Sequence, residues 1–246
     1  MPFSTEITML IVALVSTMGG FIHGSTGFGY GIFVMIFFPN ILPYLTGVGL
    51  SSMISMFGQF GIVYKFRKHI RWKLIFLPII FYLVTSAVCI NISTNMDTSF
   101  LKGYLGAFLV ILAIYFMFFN GKIKIKPNLP TAAVVGVMSG MLSGFFAIGG
   151  PPMVIYYLSA TDTKEQYFGT CQTFFFITGA YNTLIRVFKG IITAEILPLF
   201  FAGYAAMMLG IFVAGKVVEK INSNQLKKLV YGVIALSGVW MIVSNI

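Results

Sequence analysis

Residues 19–31 read GGFIHGSTGFGYG, and this stretch lies within a long apolar run. Six of its thirteen residues are glycine, and His23 is the only histidine or charged residue between Glu6 and Lys65. Glycine permits backbone conformations and close approaches that other residues do not. An ionisable side chain inside an apolar segment usually faces a cavity or a partner. The stretch therefore predicts an interrupted membrane segment that carries a polar site around His23.

The composition indicates an integral membrane protein. Of its 246 residues, 58% are hydrophobic and 9% are charged, whereas a soluble domain carries about 25% charged residues. The net charge of +10 comes from basic residues that lie between the apolar segments, as in the loops of a membrane protein. We therefore predict an all-α, multi-pass integral membrane protein without a nucleic-acid partner.

Eight apolar segments account for most of the chain, and several have the length of one helical crossing, about 20 residues. The first and the fifth are too long for one straight crossing and too short for two. Because each also holds a glycine-rich stretch near its centre, we predict that both are broken or re-entrant. The segments are approximately 7–38, 41–64, 74–91, 101–120, 130–158, 166–188, 193–215 and 228–245.

The chain repeats itself after 120 residues. This spacing predicts two homologous membrane repeats, residues 1–121 and 129–246, joined by a basic loop at 122–128. Together they form one compact transmembrane domain. The recurring residues are three glycines and a Leu-Pro pair, namely Gly20, Gly24, Gly29 and Leu77-Pro78 in the first half and Gly140, Gly144, Gly149 and Leu197-Pro198 in the second.

The distribution of basic residues bears on how the segments cross the bilayer. If all eight segments cross, the two faces receive 10 and 6 basic residues; if the first and fifth return to the face they entered, the counts become 13 and 3. The positive-inside rule favours the second arrangement. Each half then crosses three times, which predicts inverted repeats, a common design of secondary transporters. Eight straight crossings, kinked at glycine, are the alternative.

The second glycine-rich stretch, SGMLSGFFAIGGPP at residues 139–152, is the counterpart of the first. Non-helical backbone at membrane depth must be buried in protein or line a wet cavity. We therefore expect the two stretches to meet near the centre, where backbone amides and two helix N-termini bind an anion. Pro151 and Pro152 suit the first turn of a helix, which would place Tyr156 about one turn inside it.

The predicted substrate-binding residues come from the two stretches and from the polar positions of the second and sixth segments. They are His23, Gly24, Ser25, Thr26, Gly27, Gly29, Gln59, Ser143, Gly144, Gly149, Gly150, Pro151, Pro152, Tyr156, Gln172, Asn182 and Arg186.

Each assignment has a structural alternative. Glycines in membrane helices often serve only close helix packing, and hydroxyls such as that of Ser25 often bond to their own helix. His23 is a ligand for the anion, a site for a transported proton, or a neutral ring bonded to a carbonyl. The three amide side chains either line the path or bridge helices, and Arg186 either attracts anions or extends to the membrane interface.

The sequence indicates neither an enzyme nor a metal protein. Apart from Glu195 near a segment boundary, no carboxylate lies within an apolar segment, which argues against a cation substrate. Cys89 and Cys171 are isolated, and no nucleophile has a credible base beside it at membrane depth. We predict no cofactor and no metal. Coupling to protons or sodium and assembly as a homodimer both stay open.

The paired motifs GGFIHGSTGFGYG and SGMLSGFFAIGGPPMVIYY, in a chain of eight apolar segments, resemble the TauE/SafE family of sulfite exporters, also called the toluenesulfonate uptake permease family. The resemblance covers nearly the whole chain. It implies secondary transport of small sulfur-containing anions, such as sulfite or sulfonates, across the cytoplasmic membrane of a bacterium or an archaeon. His23 lies within the first motif but is not diagnostic of the family. The positions that match the family pattern are Gly24, Gly27, Gly29, Gly144, Gly149, Gly150, Pro151 and Pro152.

Two other functions compete with a secondary transporter that works by alternating access. An anion channel would show flux without saturation and without coupling to an ion gradient. A membrane-embedded assembly factor would bind a protein partner and would tolerate apolar substitutions at His23, Ser25 and Ser143.

Overall fold

The computed structural model describes residues 4–118 and 125–217, together with residues 239 and 243. Regular structure within these ranges is helical throughout. The last predicted segment, 228–245, and part of the basic loop lie largely outside the described residues. The helices are α1 (Thr5–Thr26), α2 (Tyr30–Ile41), α3 (Tyr44–Phe66), α4 (Trp72–Ser93), α5 (Thr98–Phe118), α6 (Leu129–Phe146), α7 (Gly150–Ala160), α8 (Lys164–Phe188) and α9 (Leu197–Val217), with short 3₁₀ turns at Arg67–His69 and Ala194–Ile196.

Six of the described helices are long and apolar enough to span a bilayer, namely α1, α3, α4, α5, α6 and α9. This finding confirms the predicted class, an all-α membrane protein with several spans. The helix α8 is longer still, at 25 residues, but many of its polar side chains are buried inside the protein. The helices α2 and α7 have only 12 and 11 residues, too few for a full crossing of about 20.

The first long segment is interrupted at the glycine-rich stretch. The helix α1 ends at Thr26, and α2 begins at Tyr30. Between them Gly27 and Gly29 have φ angles of 79° and 102°, in the left-handed region that glycine enters without the cost of a Cβ atom. The break therefore depends on glycine at these two positions.

After this break the chain folds back, so that α2 packs along α1. Gly19, seven residues before the end of α1, lies against the side chains of Tyr30 and Val34. The hydroxyls of Ser16 and Tyr30 are 2.9 Å apart and share a hydrogen bond. The helices α1 and α2 thus form a helical hairpin with its turn at residues 27–29.

The fifth segment is interrupted in the corresponding way. The helix α6 ends at Phe146, Ala147 follows with a φ angle of 56°, and α7 begins at Gly150. Pro151 and Pro152 lie in the first turn of α7, as predicted. Proline is well tolerated there because the first amides of a helix have no intrahelical acceptor.

The long arms of the two hairpins pack against helices of the opposite half of the chain. A Cβ atom added to Gly20 of α1 would lie 2.3 Å from the carbonyl oxygen of Met207 in α9. A Cβ atom added to Gly140 of α6 would lie 2.7 Å from the carbonyl oxygen of Tyr82 in α4. These glycines, 120 residues apart in the sequence, therefore serve close helix packing, the structural alternative considered for them.

Candidate functional site

The two breaks line one internal cavity of about 70 Å³. The first contributes Gly29 and Tyr30, and the second contributes Gly149 and Gly150. Side chains from α3, α4 and α8 complete the wall. A cavity of this size can hold a few water molecules or one small oxyanion.

Twelve of the nineteen lining residues form pairs separated by the repeat distance of 120 residues. The cavity therefore brings together several positions that the predicted repeat relates to one another. Four of these pairs are His23 with Ser143, Gly29 with Gly149, Tyr30 with Gly150, and Gln59 with Gly179.

The N-termini of α2 and α7 both reach the cavity, but they offer different numbers of amides. Residues 30–32, the first three of α2, all line it, and the first amides of a helix have no intrahelical acceptor. In α7 only Gly150 offers an N–H, because Pro151 and Pro152 have none. The start of α2 is therefore the stronger of the two hydrogen-bond donor groups toward an anion.

Arg186 of α8 is fully inside the protein, with 1% of its surface exposed. Its guanidinium donates hydrogen bonds to Ser52 Oγ at 3.0 Å and to the carbonyl oxygens of Ser143 at 2.8 Å and Gly144 at 3.1 Å. The alternative in which Arg186 extends to the membrane interface is therefore wrong. The cation instead caps the C-terminal turn of α6, where the helix dipole favours positive charge.

No carboxylate offsets the charge of Arg186 in the part of the chain that the structure describes. The single ion pair found there joins Arg71 and Asp162 at 3.7 Å, between side chains that are 50% and 84% exposed. The residues that line the cavity include no aspartate or glutamate. A buried positive charge thus stands beside a cavity that lacks negative charge.

Asn182 lies one helical turn before Arg186, and its side chain bridges α4 and α6. Its Nδ2 donates to Ser143 Oγ at 3.0 Å and to Tyr82 Oη at 3.1 Å. Ser143 and Tyr82 line the cavity, whereas Asn182 lies behind them. The bridging role considered for this amide therefore agrees with its position.

Two polar atoms of the cavity wall have no hydrogen-bond partner among the described residues. They are His23 Nε2 and Gln59 Oε1, both buried. Buried polar atoms are usually hydrogen-bonded to protein, to water or to a ligand. Both residues were predicted as site residues from the sequence, and both face the same space as the N-terminus of α2.

Gln172 of α8 is buried but does not line the cavity. Its Nε2 donates to the carbonyl oxygen of Gly27, the residue that caps the C-terminus of α1. A single helix, α8, therefore caps both interrupted helices, with an amide at α1 and with Arg186 at α6.

Three residues of the first stretch point away from the cavity. Ser25 Oγ donates to the carbonyl oxygen of Phe21 at 2.6 Å, and Thr26 Oγ1 donates to that of Ile22 at 2.9 Å. Gly24 packs against α9. These positions agree with the alternatives of back-bonding and helix packing rather than with direct contact to a ligand.

The proline pair and Tyr156 of the second stretch are likewise buried outside the cavity wall. Tyr156 lies six residues after the start of α7, rather than one turn, and its ring is 5.4 Å from that of Tyr157. Gly144 packs against α4. The side chains at these positions support the second break rather than line the cavity.

Sequence reasoning missed several lining residues, including Ser52, Tyr82 and Thr178. Ser52 precedes Gln172 by the repeat distance of 120 residues, so the repeat alone could have indicated it. Tyr82 reaches the cavity because α4 packs on α6, and no pattern in the sequence predicts that contact.

Long apolar helices arranged around a cavity that both polar and apolar residues line, with two helical hairpins converging on it, are typical of multi-pass membrane transporters. Comparison with known sequences gives the family. The profile described as Sulfite exporter TauE/SafE matches residues 12–241, and the chain belongs to this family of cell-membrane transporters, which is not a class of enzymes.

Two relatives illustrate the similarity. The "Probable sulfite/organosulfonate exporter TauE" of Cupriavidus necator is 21% identical over 198 residues, which cover 78% of this chain and 77% of the relative. A "Probable membrane transporter protein" of Methanocaldococcus jannaschii is 27% identical over 184 residues, which cover 65% of this chain and 66% of the relative. No solved structure matches this chain.

Proposed function

We propose that this protein is a secondary transporter that moves small sulfur-containing anions, such as sulfite or sulfonates, by alternating access around the internal cavity. One observation carries the proposal. The free amides of α2 and the buried cation Arg186 adjoin a cavity whose lining includes no carboxylate. The name of the Cupriavidus necator relative, a probable sulfite/organosulfonate exporter, supports sulfur oxyanions as the substrate class.

The substrate binds with its oxygen atoms at the start of α2. The amides of residues 30–32 donate to it, and the hydroxyls of Ser143 and Thr178 lie in the same wall. Arg186 acts through its field, because Ser52 and two carbonyl groups already accept its hydrogen bonds. In a water-poor site such fixed dipoles and charges are worth more than at the surface.

Alternating access follows from the repeat. We infer that residues 1–121 and 129–246 are inverted copies, joined by the basic loop 122–128, and that α1–α2 and α6–α7 are re-entrant hairpins that enter from opposite faces. Packing supports this arrangement, since the long arm of each hairpin lies against the opposite half of the chain. Rocking of one repeat against the other would then open the cavity first to one face and then to the other.

Cysteine labelling tests the hairpin arrangement. We expect Asn40→Cys, at the exposed end of α2, to react with a membrane-impermeant maleimide from the same face as Ser4→Cys, just before α1. The native Cys89 and Cys171 are buried, so their background labelling is low. Labelling of residues 4 and 40 from opposite faces would instead establish a full crossing.

An uptake assay tests the transport function. Proteoliposomes that contain the full chain are expected to accumulate labelled sulfite with saturation, and an excess of small sulfonates is expected to compete. Unlabelled substrate on the inside should accelerate uptake by exchange, which a carrier permits and an open channel does not. Linear, uncompeted flux would identify a channel, and the absence of flux would favour the assembly-factor alternative.

Arg186 provides a test of the electrostatic argument. We expect Arg186→Gln to lower anion affinity about thirtyfold, or about 2 kcal/mol, because the field of the buried cation at the cavity is lost. Lys189→Gln is the matched control, since Lys189 lies three residues further on, is exposed, and contacts Asn91 instead. Affinity is measured by isothermal titration of purified protein, and thermal unfolding reports any damage to the cap of α6. Equal affinities for wild type and Arg186→Gln would remove this residue from the site.

A further inference from the structure

We propose that His23 binds one proton each time the cavity binds an anion, so that the anion and the proton cross the membrane together. This inference rests on the proposed function, because it assigns the coupling ion to the same cavity. Three observations support it: the position of the imidazole, the group at the corresponding position in the second half of the chain, and the lack of another free ionisable group among the described residues that line the cavity.

The position of the ring is that of an internal proton site. His23 is 3% exposed, lines the cavity beside the side chain of Gln172, and its Nε2 has no hydrogen-bond partner within 3.5 Å among the described residues. It lies in the last turn of α1, where its own carbonyl accepts a hydrogen bond from the N–H of Gly27 at 2.7 Å. The C-terminal turn of a helix favours a protonated imidazole over a neutral one.

The repeat relates this position to the capped end of α6. Ser143 follows His23 by 120 residues, and the carbonyl oxygen of Ser143 accepts a hydrogen bond from Arg186 at 2.8 Å. The permanent positive charge of Arg186 therefore offsets the helix dipole at the end of α6. At the end of α1 Gln172 supplies a neutral amide, and His23 is the one side chain of that turn that can become positive.

Among the described residues, the other ionisable groups in or next to the cavity wall already have hydrogen-bond partners. The phenol of Tyr30 on α2 is bonded to Ser16, and that of Tyr82 on α4 accepts a hydrogen bond from Asn182. Arg186 on α8 is bonded to α3 and α6. The remaining groups that face this region are neutral, namely Gln59 and Ser55 of α3, Ser143 of α6, Gly150 of α7, Thr178 of α8, and Ile211 and Ala214 of α9.

Electrostatics then links the two binding events. A buried imidazole without a counter-ion favours its neutral form, whereas an anion in the same cavity favours the protonated form. Linkage is reciprocal, so a proton on His23 raises anion affinity by the factor by which the anion raises proton affinity. A monovalent anion and one proton together transfer no net charge. The proton leaves His23 for water when the anion departs.

Titration calorimetry in two buffers with different ionisation enthalpies tests the linkage directly. The probe is methanesulfonate, which keeps one negative charge across the range in which imidazole titrates. With the full-length wild-type protein we expect uptake of about one proton per anion bound above neutral pH. We also expect affinity to fall as pH rises, with a limit of about tenfold per pH unit for one linked proton.

His23→Gln keeps an amide near the position of the ring but cannot titrate. This variant is expected to bind methanesulfonate without proton uptake and with an affinity that does not change with pH. His69→Gln is the matched control, because His69 is the only other histidine in the chain and is exposed in the turn before α4. The control is expected to retain the proton uptake of the wild type.

The outcomes separate this inference from the function on which it rests. Wild-type binding of methanesulfonate without proton uptake overturns the role of His23 and leaves anion transport intact. Proton uptake that persists in His23→Gln also overturns it, because another group then carries the proton. The wild-type measurement needs no variant, so a lack of proton uptake overturns the inference even if the substitution impairs folding. If the wild-type protein neither binds methanesulfonate nor accumulates sulfite, the proposed function itself is overturned.

Discussion

We expect Gly150→Leu to abolish anion uptake in proteoliposomes while the protein still folds. A Cβ atom at position 150 meets nothing closer than 3.9 Å, at the rings of Phe28 and Phe175. The first carbon of the new side chain is therefore tolerated, but the rest of a leucine side chain extends into a cavity of about 70 Å³. It also covers the one N–H that the first turn of α7 offers to an anion.

The matched control for this experiment is Gly150→Ala. Alanine shares with leucine the restriction that a following proline places on the backbone, but it leaves most of the cavity free. We expect Gly150→Ala to retain most of the uptake, and both variants to elute as the wild type does in size-exclusion chromatography. Full uptake by a well-folded Gly150→Leu variant would mean that the substrate does not pass this point.

Gly210→Val is expected to have the largest effect on stability. Gly210 lies in α9 where that helix crosses α1, and an added Cβ atom would lie 2.1 Å from the carbonyl oxygen of Thr17 and 2.7 Å from the amide nitrogen of Phe21. Both contacts are with backbone, which cannot move aside as a flexible side chain can. Overpacking of this kind costs about 3 kcal/mol or more, so we expect little folded protein to be recovered.

Gly215→Val is the control, because Gly215 lies five residues further along the same helix and no atom of the described residues lies within 4 Å of an added Cβ. Valine has a somewhat higher helix propensity than glycine, so this variant is expected to unfold at a temperature equal to or above that of the wild type. Thermal unfolding in detergent compares the two. A Gly210→Val protein as stable as Gly215→Val would mean that α1 and α9 lie further apart than described.

The two breaks could be predicted from the sequence because they follow from local rules. Positive φ angles at Gly27 and Gly29 need glycine, and a proline pair suits the start of a helix such as α7. The repeat distance of 120 residues gave the correspondence between the stretches. Their convergence on one cavity was an expectation of that repeat, and both stretches do line the cavity.

The roles of individual polar residues could not be predicted in the same way. Ser25 and Ser143 lie in similar glycine-rich stretches, but Ser25 bonds to its own helix, whereas Ser143 faces the cavity. The difference depends on which face of each helix meets a neighbour. From the sequence alone, Arg186 is interpreted as an interfacial residue because it is close to the end of an apolar segment. It is buried because α8 packs centrally and the free carbonyl groups at the end of α6 offer it partners.

Both interrupted helices are capped by side chains of one helix, α8. Gln172 and Arg186 lie 14 residues apart on α8, which is about 21 Å at the rise of an α-helix. That length fixes the span between the turn of the first hairpin and the last turn of α6. If access alternates as proposed, neither hairpin shifts past α8 unless one cap is released, so a helix whose own ends belong to neither hairpin limits how far the hairpins move.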